Sequence, residues 1–152
     1  MNEKFQYHWR LIEYDERLRY KFIERIFSEI SKHIPLPPFR EITFKFSTRL
    51  KTTAGYFDPN TRSIVLSSVH IDDVFKLWQI CVHELCHLSV AHKFGKVQTH
   101  GAEFLQTIQI INRNYPKLPA ITVKHSLKID YKWQRQCLKC GQVFSKEFVN
   151  KP

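Results

Sequence analysis

No stretch of the 152-residue chain approaches the ~18 consecutive apolar residues of a membrane-spanning helix, so no helical membrane span is expected. No secretory leader is expected either, because Glu3, Lys4 and His8 in MNEKFQYHWR stand where its apolar run would belong. A soluble, intracellular protein is expected, nuclear in a eukaryote and cytoplasmic in a bacterium. Internal repeats, low-complexity tracts and long linkers are also lacking. Cysteine is scarce: Cys81 and Cys86 fall inside an apolar helical pattern, and Cys137 and Cys140 form a CxxC pair. In a reducing compartment that pattern points to buried thiols plus a metal or redox pair rather than to two disulfides. Acidic residues are outnumbered 14 to 24 by lysine and arginine. Such an excess suits polyanionic partners, nucleic acid before anionic membrane, and equally a merely solvated lysine-rich surface.

What is present suffices for one domain with a core, since 43% of residues are hydrophobic and 14% aromatic. Apolar residues at helical spacing from Phe5 to Ile30 predict one long N-terminal helix, or two with a break, over residues 3–34, stopped by PLPPF at Pro35 to Phe39. Alternation in ITFKF predicts a strand from Ile42 to Phe46. A second strand is predicted near Ala54 to Phe57 and a third from Ser63 to Leu66, joined as a hairpin by the turn residues Asp58 to Thr61. A helix capped by Asp72 or Ser68 runs to about Lys93, with Gly95 as its left-handed stop. It is apolar on most sides and therefore buried. A further helix begins near His100 and ends at about Asn114, turning Phe104, Ile108 and Ile111 inward. The expected class is α+β: an N-terminal helix, a small sheet, a buried helix, a further helix and a basic strand-like tail.

On the buried helix stands HELCH, His83 to His87. Histidines four apart lie one turn above each other, so both imidazoles reach one metal ion. Glu84 projects about 60° from His87, beside the metal's open position, where a general base takes a proton from bound water. Zinc suits the task because it accepts neutral imidazole and lowers the pKa of its water to about 7. Chance would produce HExxH in roughly one chain of this composition in forty, so burial of the helix, where unpartnered polar groups are costly, adds weight. A third ligand is needed. Val90 and Lys93 exclude the HExxHxxGxxH pattern, and His92 points about 180° from His83. His100 and Glu103, near the start of the next helix, remain as competitors.

The order of STRLKTTAGYFDPNTRSIVLSS, HELCH, THGAEF and NRNYPKLPAITVKHSLKIDYKWQRQCLKCG resembles the SprT-like family of zinc metallopeptidases over about Ile42 to Gly141. Its germ cell nuclear acidic-type SprT domain, with the Spartan proteases, looks most similar. The resemblance implies a zincin-like fold over residues 1–120, one catalytic zinc on His83, His87 and His100, and Glu84 as base. Glu103 then becomes a helix-start residue. It also implies a DNA-linked protease acting on DNA-bound or DNA-crosslinked proteins. In the relatives a CxxC pair opens a zinc ribbon. Here Cys137 and Cys140 offer half of a tetrahedral site, to which His125 can add a ligand, so a second, structural zinc stays open.

Residues 121–152 form the basic tail. From Arg113 onward nine cations face only Asp130 and Glu147. Lys124, Lys128, Lys132 and Arg135, interleaved with Tyr131 and Trp133, are the expected contacts to single-stranded DNA, where phosphates meet cations and bases stack on rings. On a strand, Lys124, Lys128 and Lys132 would share one face, while the competing reading has Tyr131 and Trp133 close the core against the helix that ends at Asn114. The competing functions are a non-catalytic zinc-containing nucleic-acid-binding module and a small-substrate zinc hydrolase. Tyr56 and Arg62 are open as oxyanion partners.

Overall fold

The computed structural model describes residues 15–95, 100–125, 131–136 and 143–147, the last two segments as backbone strands. Helix α1, Glu16–Ile30, begins where the Asp15 carboxylate accepts the Arg17 N–H at 2.9 Å and satisfies a donor that the first turn leaves open. Ile23, Ile26, Phe27 and Ile30 line its buried face, while Leu18 and Phe22 are only half-buried. The predicted helical pattern before Asp15 lies outside the described residues. A 3-10 turn at Phe39–Glu41 follows the proline run.

Strands β1 (Thr43–Ser47), β2 (Gly55–Asp58) and β3 (Ser63–Ser67) form a sheet in the order β1-β3-β2. The predicted hairpin is present: β2 and β3 are antiparallel, with Phe57 opposite Ile64, and the Asp58 carboxylate holds their turn by accepting from Asn60 N–H and the Thr61 hydroxyl. β1 pairs with β3 in parallel, Thr43 with Ser63 through Ser47 with Ser67. That places β3 in the centre, buried along its whole length, and leaves β2 at an edge. Local alternation cannot specify this parallel pairing, because it joins segments separated by a hairpin.

Gly55 sits where a side chain has no room. A Cβ there would lie 2.8 Å from the Val65 carbonyl oxygen and 3.3 Å from Ile80 Cγ2. Gly55→Ala must therefore push β2 from β3 or from the helix beneath it, and an urea titration is expected to show a loss of about 1–3 kcal/mol, as for other overpacked sites. An unchanged midpoint would mean that the strand edge yields freely.

Helix α2, Val74–Phe94, packs against the sheet and α1. Its cap is Asp73, whose carboxylate accepts Lys76 N–H at 2.7 Å, not the expected Asp72 or Ser68. Only Asp73 stands immediately before the first helical residue, which is where the geometry places a cap. Gly95 closes the helix at φ 64, the predicted left-handed stop. Thirteen of its residues are buried, His83 and Glu84 among them. Helix α3, Ala102–Asn114, turns Phe104, Thr107, Ile108 and Ile111 inward. Beyond it the chain crosses back over both helices. The Asn112 side chain brackets Ile121, accepting its N–H at 2.7 Å and donating to its carbonyl at 3.0 Å, and Gln79 donates to the Ala120 carbonyl. The expected division at residue 120 falls within this pinned strap. β4 (Tyr131–Gln136) and β5 (Val143–Glu147) form a separate antiparallel hairpin.

Candidate metal centre

His83 and His87 project from one face of α2, and the turn that leads into α3 brings His100 against them. One ligand nitrogen from each lies within 4.8 Å of the others. His83 is 4% exposed and His100 open to solvent, so the group runs from the core to the surface. His92 is exposed and lines a separate cavity of about 220 Å³ with Leu88, Ala91 and Arg62. It takes no part in the group.

The tautomer of His83 follows from its partners. Its Nδ1 lies 2.8 Å from the Thr122 carbonyl, an acceptor only, so Nδ1 carries the proton and Nε2 presents a lone pair. That lone pair faces His100 Nε2 at 3.2 Å. Tetrahedral zinc with nitrogens at 2.0–2.1 Å holds its ligands about 3.3 Å apart, so the spacing fits a shared cation. Burial pushes the His83 pKa down to about 4, which keeps the imidazole in the neutral form a metal requires. The donor set therefore fits zinc.

Phe104 is the platform for these rings. Fully buried on α3, it stacks on His87 with centroids 4.3 Å apart and meets His83 and His100 edge-on at 5.0 and 4.9 Å. Sequence periodicity marks Phe104 only as core. The Thr122 carbonyl, 39 residues from His83, left no local signal at all.

Glu84, 4% exposed, groups with His83 and His125 and not with His87 or His100, so its carboxylate stands beside the three-imidazole set rather than in it. It accepts the Phe57 backbone N–H from β2. Burial nevertheless raises its pKa to about 8 without a metal. In the metal-free chain the folded state therefore holds a proton between pH 4.5 and about 8 that the unfolded state has released, and stability falls as pH rises through this window. Below pH 6.5 the depressed histidines His83 and His125 act in the opposite sense, since unfolding then takes up protons. Chelator-treated wild type is thus expected to lose up to ~2 kcal/mol between pH 6.5 and 8, and Glu84→Gln to stay flat there. Urea titrations at stepped pH measure it, and parallel profiles would refute the buried-carboxyl account.

His125, which can also add a ligand to a site at Cys137 and Cys140, lies at the end of the strap, its ring 4.6 Å from that of His83. The two cysteines are outside the described residues, as is Lys128. Lys124 lies in a bend ahead of β4, so it does not share a strand with Lys132, which with Tyr131, Trp133 and Arg135 falls within β4. Tyr56 is exposed on edge strand β2, and the Arg62 guanidinium is engaged by Glu41 at 2.9 Å. Glu103 is half-buried in the first turn of α3, which accords with a helix-start role.

Known proteins share this arrangement of sequence. A protein named SprT-like from Oceanobacillus iheyensis is 32% identical over 106 residues, covering 66% of this chain and 66% of its own. Germ cell nuclear acidic protein of Drosophila melanogaster is 32% identical over 108 residues, 67% of this chain and 10% of the fly protein. Its human namesake is 30% identical over 69 residues, 45% of this chain and 10% of its own. The chain thus spans about two thirds of the bacterial relative and a tenth of the animal proteins. The family model described as SprT-like matches residues 20–125, from α1 through His125, and the chain belongs to the SprT-like family.

Proposed function

We propose that the chain is a zinc-dependent endopeptidase that acts on DNA-bound or DNA-crosslinked proteins. The observation that carries the reading is the placement of Glu84: a buried carboxylate beside, and not within, a group of three imidazoles. A purely structural site has no use for such a neighbour. His83, His87 and His100 would hold the zinc, which when bound polarises a carbonyl and makes water acidic enough to attack near neutral pH. Glu84 takes the proton from the attacking water and delivers it to the leaving nitrogen. Phe57 N–H orients the carboxylate for both transfers. Edge strand β2 supports a peptide substrate, because an extended chain laid along it would pass the carboxylate that Phe57 holds.

The DNA link rests on the formal charge of +10, concentrated after Arg113, and on the word nuclear in the names of two relatives. Lys132, Arg135, Tyr131 and Trp133 on β4, with Lys124 and Lys128 before it, are the proposed contacts. Cys137 and Cys140, which follow β4 in the sequence, are proposed as the start of a structural zinc site. The test is cleavage of a basic DNA-binding protein with and without single-stranded DNA over a salt series. DNA is expected to accelerate cleavage at low salt, and the effect to fade as salt displaces phosphate contacts. Cleavage indifferent to DNA at every salt concentration would leave a peptidase without the DNA association.

A further inference from the structure

The carbonyl that orients His83 belongs to the backbone of Thr122, so no substitution at Thr122 deletes it. Its direction is set by side chains elsewhere. The strap follows α2, with the Ala120 carbonyl accepting from Gln79 at 3.0 Å and the Thr122 carbonyl accepting from His83 at 2.8 Å. Gln79 and His83 stand one helical turn apart on the same face, a rise of ~6 Å, and two residues of chain reach at most ~7 Å, so the two bonds keep strap and helix in step.

Asn112, in the last turn of α3, holds the residue between them. Its side chain accepts the Ile121 N–H at 2.7 Å and donates to the Ile121 carbonyl at 3.0 Å. An N–H only donates and a carbonyl only accepts, so this pairing also fixes which end of the amide is oxygen. The Ile121 N–H shares a rigid peptide plane with the Ala120 carbonyl that Gln79 holds, and the Ile121 carbonyl belongs to the next plane. With both planes held, only φ and ψ of Thr122 are left to aim its carbonyl. Asparagine offers one donor and one acceptor on a short stem. Aspartate lacks the donor, and alanine lacks both. Packing alone does not call for this arrangement, because Ile121 is 2% exposed and anchors the strap by its own side chain.

We propose that Asn112 is a positioning residue for the metal centre. Acting through Ile121 and the Thr122 carbonyl, it holds the His83 ring and its Nδ1–H tautomer, so that the Nε2 lone pair faces His100 at 3.2 Å. The inference rests on the metal-dependent reading above, and two of its readouts need no hydrolysis. Groups that orient ligand imidazoles are worth about 10- to 100-fold in metal affinity.

The experiment compares wild type with Asn112→Ala, Asn112→Asp and Ile23→Ala. Asn112 is half-buried near the end of α3, so its variants should fold. Ile23 is fully buried on α1, and its truncation lowers stability from outside the strap. Zinc affinity, read by competition with a chelator, is expected to fall ~10-fold in Asn112→Ala and to stay within about twofold in Ile23→Ala. Asn112→Asp, which keeps the acceptor and loses the donor, should fall between them. Nitrogen-15 NMR of the metal-free chain should show His83 as the single Nδ1–H tautomer in wild type and as a mixture of tautomers in Asn112→Ala. With saturating zinc and a peptide substrate, kcat should fall ~10-fold in Asn112→Ala with KM within about threefold. Zinc affinity unchanged in both Asn112 variants, a single His83 tautomer retained in Asn112→Ala, or an equal loss of affinity in Ile23→Ala would each overturn the positioning role. If wild type holds zinc and cleaves no peptide while Asn112→Ala still loses affinity, the positioning role stands and the endopeptidase reading is what fails.

Discussion

Glu84→Gln is expected to retain its metal and fold while peptide hydrolysis falls about 10³-fold. The amide is nearly isosteric with the carboxyl and can occupy the same buried place, but it accepts no proton from water. General-base contributions of 10²–10⁴ set the scale, about 4 kcal/mol of barrier at ~1.4 kcal/mol per tenfold. Because Glu84 stands outside the group of three imidazoles, its replacement leaves their nitrogens untouched. Metal analysis together with kcat separates this from a ligand role. Zinc lost along with activity would make Glu84 a ligand, and comparable activity would remove it from the mechanism.

His100→Ala should have the converse signature, with most metal lost and hydrolysis lost with it. His100 is exposed at the entrance to α3 and contributes little to the core, so the fold should survive the change. Its imidazole supplies the nitrogen that faces His83 Nε2 at 3.2 Å. Two remaining protein ligands cannot complete the three that a catalytic zinc uses. Competition with a chelator gives the affinity, and full retention would transfer the third position to Glu103, the half-buried carboxylate in the first turn of α3, or elsewhere.

Much of this site was legible because its central pieces are local. HELCH sits on one face of a single helix, and the far end of that helix announces itself by Gly95, whereas its cap falls on Asp73, one residue beyond the expected Asp72. The sheet was legible as strands but not as an order, since the β1–β3 pairing depends on a crossover. What escaped were the partners that reach the site through the folded chain. Phe104 looks like any inward aromatic until its neighbours are known, and the Thr122 carbonyl belongs to a backbone group with no sequence signature. The position of His125 beside His83 likewise follows from a strap whose course Asn112 dictates, not from a local pattern.

The most direct measurement of the central claim is peptide hydrolysis by the zinc-loaded chain in water enriched in ¹⁸O, with the fragments read by mass spectrometry. Water-borne attack promoted by Glu84 predicts one heavy oxygen in each newly formed C-terminal carboxylate, from wild type and at background level from Glu84→Gln. Intact substrate with wild type, or equal labelled fragments from both proteins, would contradict it.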